Sequence, residues 1–208
     1  MHALASRRRI LTLAASGLAV LSLPLRQAQA GLVPTPGMTE GPFYPVAIPA
    51  DADSDLVEVA GQAARARGVA VKIGGRVLGL DGSAIPGATV EIWQCDAGGH
   101  YLHPGDSGPR DPGFQGFGRA ATGADGAYGF RTIRPVAYSG RSPHIHFAVL
   151  APGRKRLVTQ MFVQGDPGNE RDFLYRALSP EARRAVTVTL AQTDGGLAGV
   201  FDIVLPEA

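Results

Sequence analysis

The chain has 208 residues, of which 45% are hydrophobic and 18% are charged, and its formal net charge is +2 at pH 7. Without residues 1–30, 178 residues remain (208 − 30), a length that suits one domain with a substantial core. Residues 1–30 hold four arginines and no acid, so 16 of the 20 basic residues remain against all 18 acids, a net charge of −2 that gives no indication of a nucleic-acid partner.

Residues 1–30 have the organisation of a twin-arginine export signal. Residues 6–11 have the sequence Ser-Arg-Arg-Arg-Ile-Leu, an apolar run follows over residues 10–25, and residues 28–30 offer a small-x-small cleavage site. The run is short for a membrane span, although an uncleaved N-terminal anchor is the alternative. We therefore predict a chain that is exported to the periplasm or secreted and that keeps no stable membrane anchor after cleavage.

Residues 31–68 are rich in proline, glycine and alanine, which predicts an extended arm around the domain with a short helical turn at residues 60–67. From residue 69 onward, β-branched and aromatic runs alternate with turn dipeptides such as Asp81-Gly82. The predicted strands cover residues 69–78, 88–95, 127–132, 144–150, 157–163, 185–190 and 199–205. Short helices are predicted at residues 170–178 and 180–184.

Many short strands with few helices predict an all-β fold. We expect one β-sandwich of mainly antiparallel strands over residues 69–208. The segment at residues 98–118 is long and glycine-rich for a compact sandwich, and loops of this kind are usually functional. Cys95 is the only cysteine, which excludes an intrachain disulfide, and its place in a predicted strand indicates a packing role.

Two histidines separated by one residue are the first candidate metal ligands. Pro143 and the apolar residues that follow it predict an extended segment. Because side chains alternate between the faces of a strand, His144 and His146 are expected on one face, and Ile145 and Phe147 on the other. Two imidazoles that converge in this way supply half of a metal site.

Three segments, taken together, resemble the intradiol ring-cleavage dioxygenases, the family of protocatechuate 3,4-dioxygenase and catechol 1,2-dioxygenase. They are GATVEIWQCDAGGHY at residues 87–101, TIRPVAYSGRSPHIH at residues 132–146 and LVTQMFVQGDP at residues 157–167. The resemblance covers roughly residues 39–172, and the order and spacing of its motifs are more specific than a lone pair of histidines.

The resemblance implies one Fe(III) per chain, held by two tyrosinates and two histidines at Tyr101, Tyr138, His144 and His146. A ferric ion favours anionic oxygen, and a bound cation lowers the pKa of a phenol from about 10. The implied reaction uses O2 as co-substrate, inserts both of its atoms into a catechol-type ring and gives a cis,cis-muconate-type dicarboxylic acid. The substrate would displace Tyr138, which then accepts a substrate proton.

Four further residues are implied to act in or line the substrate pocket. Arg141 matches a family arginine that lies over the ring and stabilises charge on it, and Gln160 matches a family glutamine. Phe43 and Tyr44 belong to residues 39–45, which resemble an N-terminal segment that reaches the cavity in this family. Packing within the arm is the alternative interpretation of Phe43 and Tyr44.

Other residues near the motifs have simpler interpretations. His100 and His103, on either side of Tyr101, are interpreted as solvated loop residues. Core packing and turn capping account for Trp93 and Asp96.

Two other functions remain open from the sequence. One is a non-catalytic β-sandwich binding module, because residues 75–90 also resemble carboxypeptidase-regulatory-like and transthyretin-like sandwiches. The other is a two-histidine, one-carboxylate Fe(II) oxygenase, although no acid has a spacing that completes such a triad. The predicted partner is a small catechol-type molecule; the sequence leaves open which catechol it is and whether the chain forms a homo-oligomer.

Overall fold

The computed structural model describes residues 32–207, so the predicted export signal at residues 1–30 lies outside the described residues. In chain order the elements are β1 (Ala70–Leu78), β2 (Thr89–Trp93), β3 (Phe117–Ala121), β4 (Ala127–Ile133), β5 (His144–Leu150), β6 (Leu157–Val163), α1 (Phe173–Ala177), α2 (Pro180–Val186), β7 (Thr187–Val188), β8 (Ala191–Thr193), β9 (Gly196–Val200) and β10 (Ile203–Val204). Neither helix of this part of the chain has the length and apolar character needed to cross a membrane.

Two five-stranded sheets make up the fold. In the first sheet, β4 pairs antiparallel with β1, while β9 and β10 pair parallel with successive parts of β1 and β8 pairs with β9. The second sheet has the order β3-β2-β5-β6-β7 and is antiparallel except for the short β6–β7 pair. The predicted all-β sandwich of mainly antiparallel strands is confirmed.

Side-chain alternation along β5 divides the core from the outer face of the second sheet. Ile145 and Phe147 belong to the main apolar cluster, together with residues of the first sheet such as Ile73. His144 and His146 alternate with them and are buried on the opposite face, with 1% of their surface exposed. The strand therefore delivers two imidazoles to a face that loops and the N-terminal arm must cover.

Strand β3 was not predicted. Its sequence, Phe-Gly-Arg-Ala-Ala, lacks β-branched residues and has a low strand propensity. Pairing with β2 makes it a strand, with Phe117 opposite Trp93 and Arg119 opposite Glu91. Tertiary contacts therefore override the local preference.

The C-terminal region also differs from the prediction. Ser179 caps the N-terminus of α2 and Pro180 occupies its first turn, which fixes where the helix begins. The helix continues through Val186, so only two residues of the predicted strand at 185–190 form a strand. The predicted strand at 199–205 is split between β9 and β10, and β8 was missed. Residues 60–67 form turns and bends, so the helical turn predicted there is wrong.

The N-terminal arm lies along the sandwich in an extended path. Its amides donate to carbonyl groups of the domain at four points: Leu32 to Leu80 at 2.8 Å, Thr35 to Val204 at 2.9 Å, Met38 to Val158 at 2.8 Å and Leu56 to Arg131 at 2.8 Å. Because Val158 lies on β6, the bond from Met38 brings the next residues of the arm onto the second sheet, close to the two histidines.

Gly75 allows the close approach of β1 to the segment between β9 and β10. A Cβ at this position would lie 2.0 Å from the Phe201 carbonyl oxygen, a backbone atom that cannot rotate away. We expect Gly75→Ala to lower the free energy of unfolding by about 1–3 kcal/mol through overpacking, measured by denaturant titration. Gly129→Ala, on the adjacent β4, is the matched control because a Cβ there meets nothing within 4 Å. Equal stability of the two variants would contradict this account of β1.

Candidate metal centre

The two imidazoles of β5 converge through their Nε2 atoms. The Nε2 atoms of His144 and His146 lie 3.2 Å apart. His144 Nδ1 lies 2.6 Å from the Ser142 carbonyl oxygen, which can only accept, so Nδ1 carries the proton and Nε2 presents its lone pair. This tautomer is the one that a metal ligand requires at Nε2.

Two phenols complete the cluster from two different loops. Tyr101 comes from the loop between β2 and β3, and Tyr138 from the loop between β4 and β5. Their rings lie 5.0 Å apart between centroids, with Tyr138 at 5.4 Å from the ring of His144 and Tyr101 at 6.1 Å from that of His146. The structure thus brings together all four residues that the sequence predicts as ligands.

Burial keeps the four side chains neutral in the protein alone. It raises the pKa of Tyr101 well above its ordinary value and raises that of Tyr138 as well. Burial, followed by the charge of Arg141, lowers the pKa of His144 to about 4. Burial also lowers the pKa of His146 well below its ordinary value, and the neighbouring His144 and Arg141 add to this shift. The protein alone therefore presents two neutral phenols and two neutral imidazoles as possible donors to a cation.

The donor set fits a hard, highly charged cation. The Tyr101 hydroxyl is buried and has no hydrogen-bond partner within residues 32–207, an arrangement that costs free energy unless a ligand satisfies it. A bound cation would favour both phenolates and leave the imidazoles as neutral donors. No group of three His, Cys, Asp or Glu residues in the described part of the chain could hold a metal, so no carboxylate triad is formed there.

Trp93 and Gln160 flank His146 on the neighbouring strands. Register places Trp93 of β2 and Gln160 of β6 directly opposite His146. The Trp93 ring stacks on the imidazole, with centroids 4.8 Å apart and planes 12° apart. Trp93 therefore fixes the plane of His146, a contact that the interpretation of Trp93 as core packing missed because it depends on strand register.

Arg141 lies beside the donor set with its guanidinium held by two acceptors. Its Nη2 donates to Gln160 Oε1 at 2.7 Å and its Nε donates to Asp172 Oδ2 at 2.7 Å. Gln160 in turn donates to the Thr39 carbonyl of the arm at 3.0 Å. Asp172 was not predicted as a site residue; its only local signal is the N-cap position of α1, which says nothing of Arg141.

The structure separates the two aromatic residues of the arm. Phe43 stacks on Tyr101, with centroids 4.7 Å apart, and meets Tyr138 edge-on at 6.1 Å, so it borders the donor cluster. Tyr44 donates its hydroxyl to Glu91 at 2.9 Å and packs edge-on against Trp93. Because that hydroxyl is taken by Glu91, Tyr44 fits the alternative interpretation of an arm-packing residue rather than a substrate contact.

Three carboxylates, those of Asp96, Asp106 and Asp111, hold the loop that carries Tyr101. Asp96 accepts from the amides of Gly98, His100 and Asp111. Asp106 accepts from the Tyr101 amide at 2.8 Å and contacts His100 Nδ1 at 3.1 Å. The predicted turn-capping role of Asp96 therefore matches its contacts. His100 lies in the loop as predicted, but it is half-buried and contacts Asp106.

Asp111 links the same loop to the arm, because it accepts a hydrogen bond from the Arg67 amide at 2.7 Å. The strength of this link depends on pH. Burial raises the pKa of Asp111, but the amides of Arg67 and Gly113 outweigh it and the pKa lies below its ordinary value of 3.8. Because the folded-state pKa is below the unfolded one, the contribution to stability is full above that ordinary value and is lost as pH falls through the folded pKa.

We expect Asp111→Asn to lower the free energy of unfolding at neutral pH by about 1–3 kcal/mol, since one buried amide loses its acceptor. The difference from the wild type should shrink as the pH is lowered below 4, as measured by denaturant titration across pH. Asp194→Asn, in the exposed turn between β8 and β9, controls for removal of a carboxylate. A difference that stays constant down to acid pH would contradict the linkage.

Comparison with known proteins gives consistent matches over most of the chain. A family model described as a dioxygenase matches residues 39–207. The chain is 38% identical over 168 residues to the protocatechuate 3,4-dioxygenase beta chain of Burkholderia cepacia, covering 74% of this chain and 71% of that protein. It is 32% identical over 217 residues to the 6-chlorohydroxyquinol 1,2-dioxygenase of Cupriavidus pinatubonensis, covering 91% and 70%.

Solved structures from two named organisms have the same fold. The dioxygenase domain of a dioxygenase carbohydrate-binding protein fusion from Streptomyces sp. SirexAA-E matches with a TM-score of 0.66 and 33% identity, over 85% of this chain and 100% of that one. An intradiol ring-cleavage dioxygenase from Tetranychus urticae matches with a TM-score of 0.67 over 84% and 95%, but at 23% identity this likeness concerns the fold alone.

Proposed function

The chain belongs to the intradiol ring-cleavage dioxygenases, and from this premise we propose that it uses one Fe(III) to cleave a catechol-type aromatic ring. O2 is the co-substrate, both of its atoms enter the product, and the product is a cis,cis-muconate-type dicarboxylic acid. The observation that carries the proposal is the convergence of two imidazole Nε2 atoms, 3.2 Å apart, within a buried cluster that also holds two phenols.

Tyr101, Tyr138, His144 and His146 would hold the metal. Two phenolates offset most of the charge of a ferric ion, which suits Fe(III) better than a divalent ion. When bound, the ferric ion would draw electron density from a coordinated catecholate and so open the ring to attack by O2. The protein supplies the donor geometry and excludes water from it.

The two phenols differ in their freedom to move. Tyr101 is 1% exposed, and its loop is fixed by the carboxylates of Asp96 and Asp106. Tyr138 is half-buried on a loop where Ser139 adopts a positive φ of 42°. Tyr138 is thus the phenol that can swing away when a catechol binds, and its oxygen can then accept a substrate proton.

Arg141 and Gln160 act on the substrate ring as a pair. The guanidinium is a fixed, planar cation that would stabilise negative charge as it develops on the ring carbon under attack. Gln160 accepts from Arg141 and donates to the arm, so it joins the guanidinium to the segment carrying Phe43. Phe43, stacked on Tyr101, would supply an apolar wall against the substrate ring.

A binding module without catalysis is the weaker alternative. It offers no reason for two tyrosines and two histidines from one strand and two loops to meet in one buried cluster. The named relatives that match most of this chain are dioxygenases.

Removal of one imidazole tests the ligand set. We expect His146→Ala to abolish stoichiometric iron binding, because a buried Nε2 donor is lost, and with it the visible absorption of a tyrosinate–Fe(III) centre. Iron content by elemental analysis and the visible spectrum measure this. His103→Ala, a loop histidine near the cluster, is the control and should keep its iron. Full iron occupancy in His146→Ala would refute the ligand assignment.

Export by the twin-arginine pathway remains part of the proposal, and it rests on residues 1–30. This pathway carries folded proteins, which suits a protein that acquires its metal before export. Replacing both Arg7 and Arg8 by lysine should retain the protein in the cytoplasm, as cell fractionation would measure. Normal export of this variant would rule out the pathway.

A further inference from the structure

Asp172 is a buried carboxylate to which the proposed function assigns no role. It has 0% exposure, and its oxygens accept hydrogen bonds from the loop between β4 and β5 as well as from α1. We propose that Asp172 is a positioning residue for the ring-cleavage reaction, holding the Arg141 guanidinium where it meets the substrate ring. The inference rests on the proposed function and extends it to a residue outside the ligand and pocket set.

The two carboxylate oxygens have separate partners. Oδ1 caps α1 and accepts from the amides of Leu174 at 3.0 Å and Tyr175 at 3.1 Å. Oδ2 accepts from Arg141 Nε at 2.7 Å and from the Ser142 amide at 3.0 Å. One oxygen therefore caps the helix, and the other accepts hydrogen bonds from the loop that carries the arginine.

The contact through Oδ2 fixes the plane of the guanidinium. A planar guanidinium bonded at two of its nitrogens to two rigid acceptors cannot rotate freely, and Arg141 is bonded at Nε by Asp172 and at Nη2 by Gln160. Its Nη1 donates no hydrogen bond among residues 32–207, and the charge of Arg141 acts on the neighbouring Tyr138 hydroxyl. The guanidinium carbon of Arg141 lies over the ring of Phe173, the residue after Asp172, at 5.5 Å from the ring centroid.

Charge makes Asp172 the stronger of the two anchors. Its carboxylate is the only one bonded to Arg141 among residues 32–207, and both side chains are largely shielded from water, with 0% and 11% exposure. A hydrogen bond between two ions is stronger than one to a neutral amide such as Gln160. Without the carboxylate, the guanidinium would lose the partner that offsets its burial and would turn toward solvent.

Asp172→Asn separates the two roles of the residue. The amide oxygen can still cap α1, since Asn is a good N-cap residue. The amide nitrogen would then face the N–H groups of Arg141 and Ser142, which are donors, so the arginine contact is lost. Asp172→Ser is a second variant, because serine also caps helices and is too short to reach the guanidinium.

The experiment is a double-mutant cycle on kcat and KM with catechol, measured by O2 uptake on protein of known iron content. Arg141→Ala should lower kcat by on the order of a hundredfold, the scale of losing one charge-stabilising donor. Asp172→Asn should lower kcat by about tenfold or more at normal iron content and visible band, with KM changed less than kcat. Adding Asp172→Asn to Arg141→Ala should change kcat by less than about twofold, because the two residues act as one unit.

Ser179→Ala is the matched structural control, since it removes the N-cap of α2 without touching Arg141. It should lower the thermal midpoint and leave kcat unchanged. Wild-type kcat in both folded Asp172 variants would overturn the proposal, as would losses that multiply in the double variant. Failure of the proposed function is a distinct result, since the wild type would then show no catechol-dependent O2 uptake.

Discussion

The alternation of side chains along β5 decides where the candidate metal centre can lie. The strand is central in its sheet, bonded to β2 on one side and β6 on the other. Ile145 and Phe147 fill the core between the sheets, so His144 and His146 must lie on the outer face. A shift of the strand by one residue would bury the imidazoles in the apolar core, and the packing of two sheets prevents it.

The loops around that face turn an imidazole pair into a candidate metal centre. Each phenol comes from a different loop, and backbone amides bonded to buried or half-buried carboxylates hold the loop of Tyr101. Burial keeps all four donors neutral in the protein alone, and a bound cation would favour the phenolate forms of the two tyrosines. Rigid loops, a half-buried Tyr138 and an anchored Arg141 together suit a site in which one ligand moves while the rest stay fixed.

Local patterns in the sequence predicted the elements that depend mainly on interactions between residues close together in the chain. The period of β5, the turn dipeptides and the helix at residue 180 are of this kind, and their strands and helix lie close to the predicted positions. Strand β3 depends on its pairing with β2, and the stacking of Trp93 on His146 depends on strand register. The contact between Asp172 and Arg141 depends on the packing of two segments that are 31 residues apart. No local pattern encodes such contacts, so the sequence could not reveal them.

Two tyrosines and two histidines are proposed to form one ferric centre that binds catechol. The most direct measurement is the iron content and visible spectrum of the purified protein, before and after anaerobic addition of catechol. We expect one iron per chain, a visible tyrosinate–Fe(III) band, and a shift of that band when catechol displaces Tyr138. A protein that stays colourless after loading with ferric ion would contradict it.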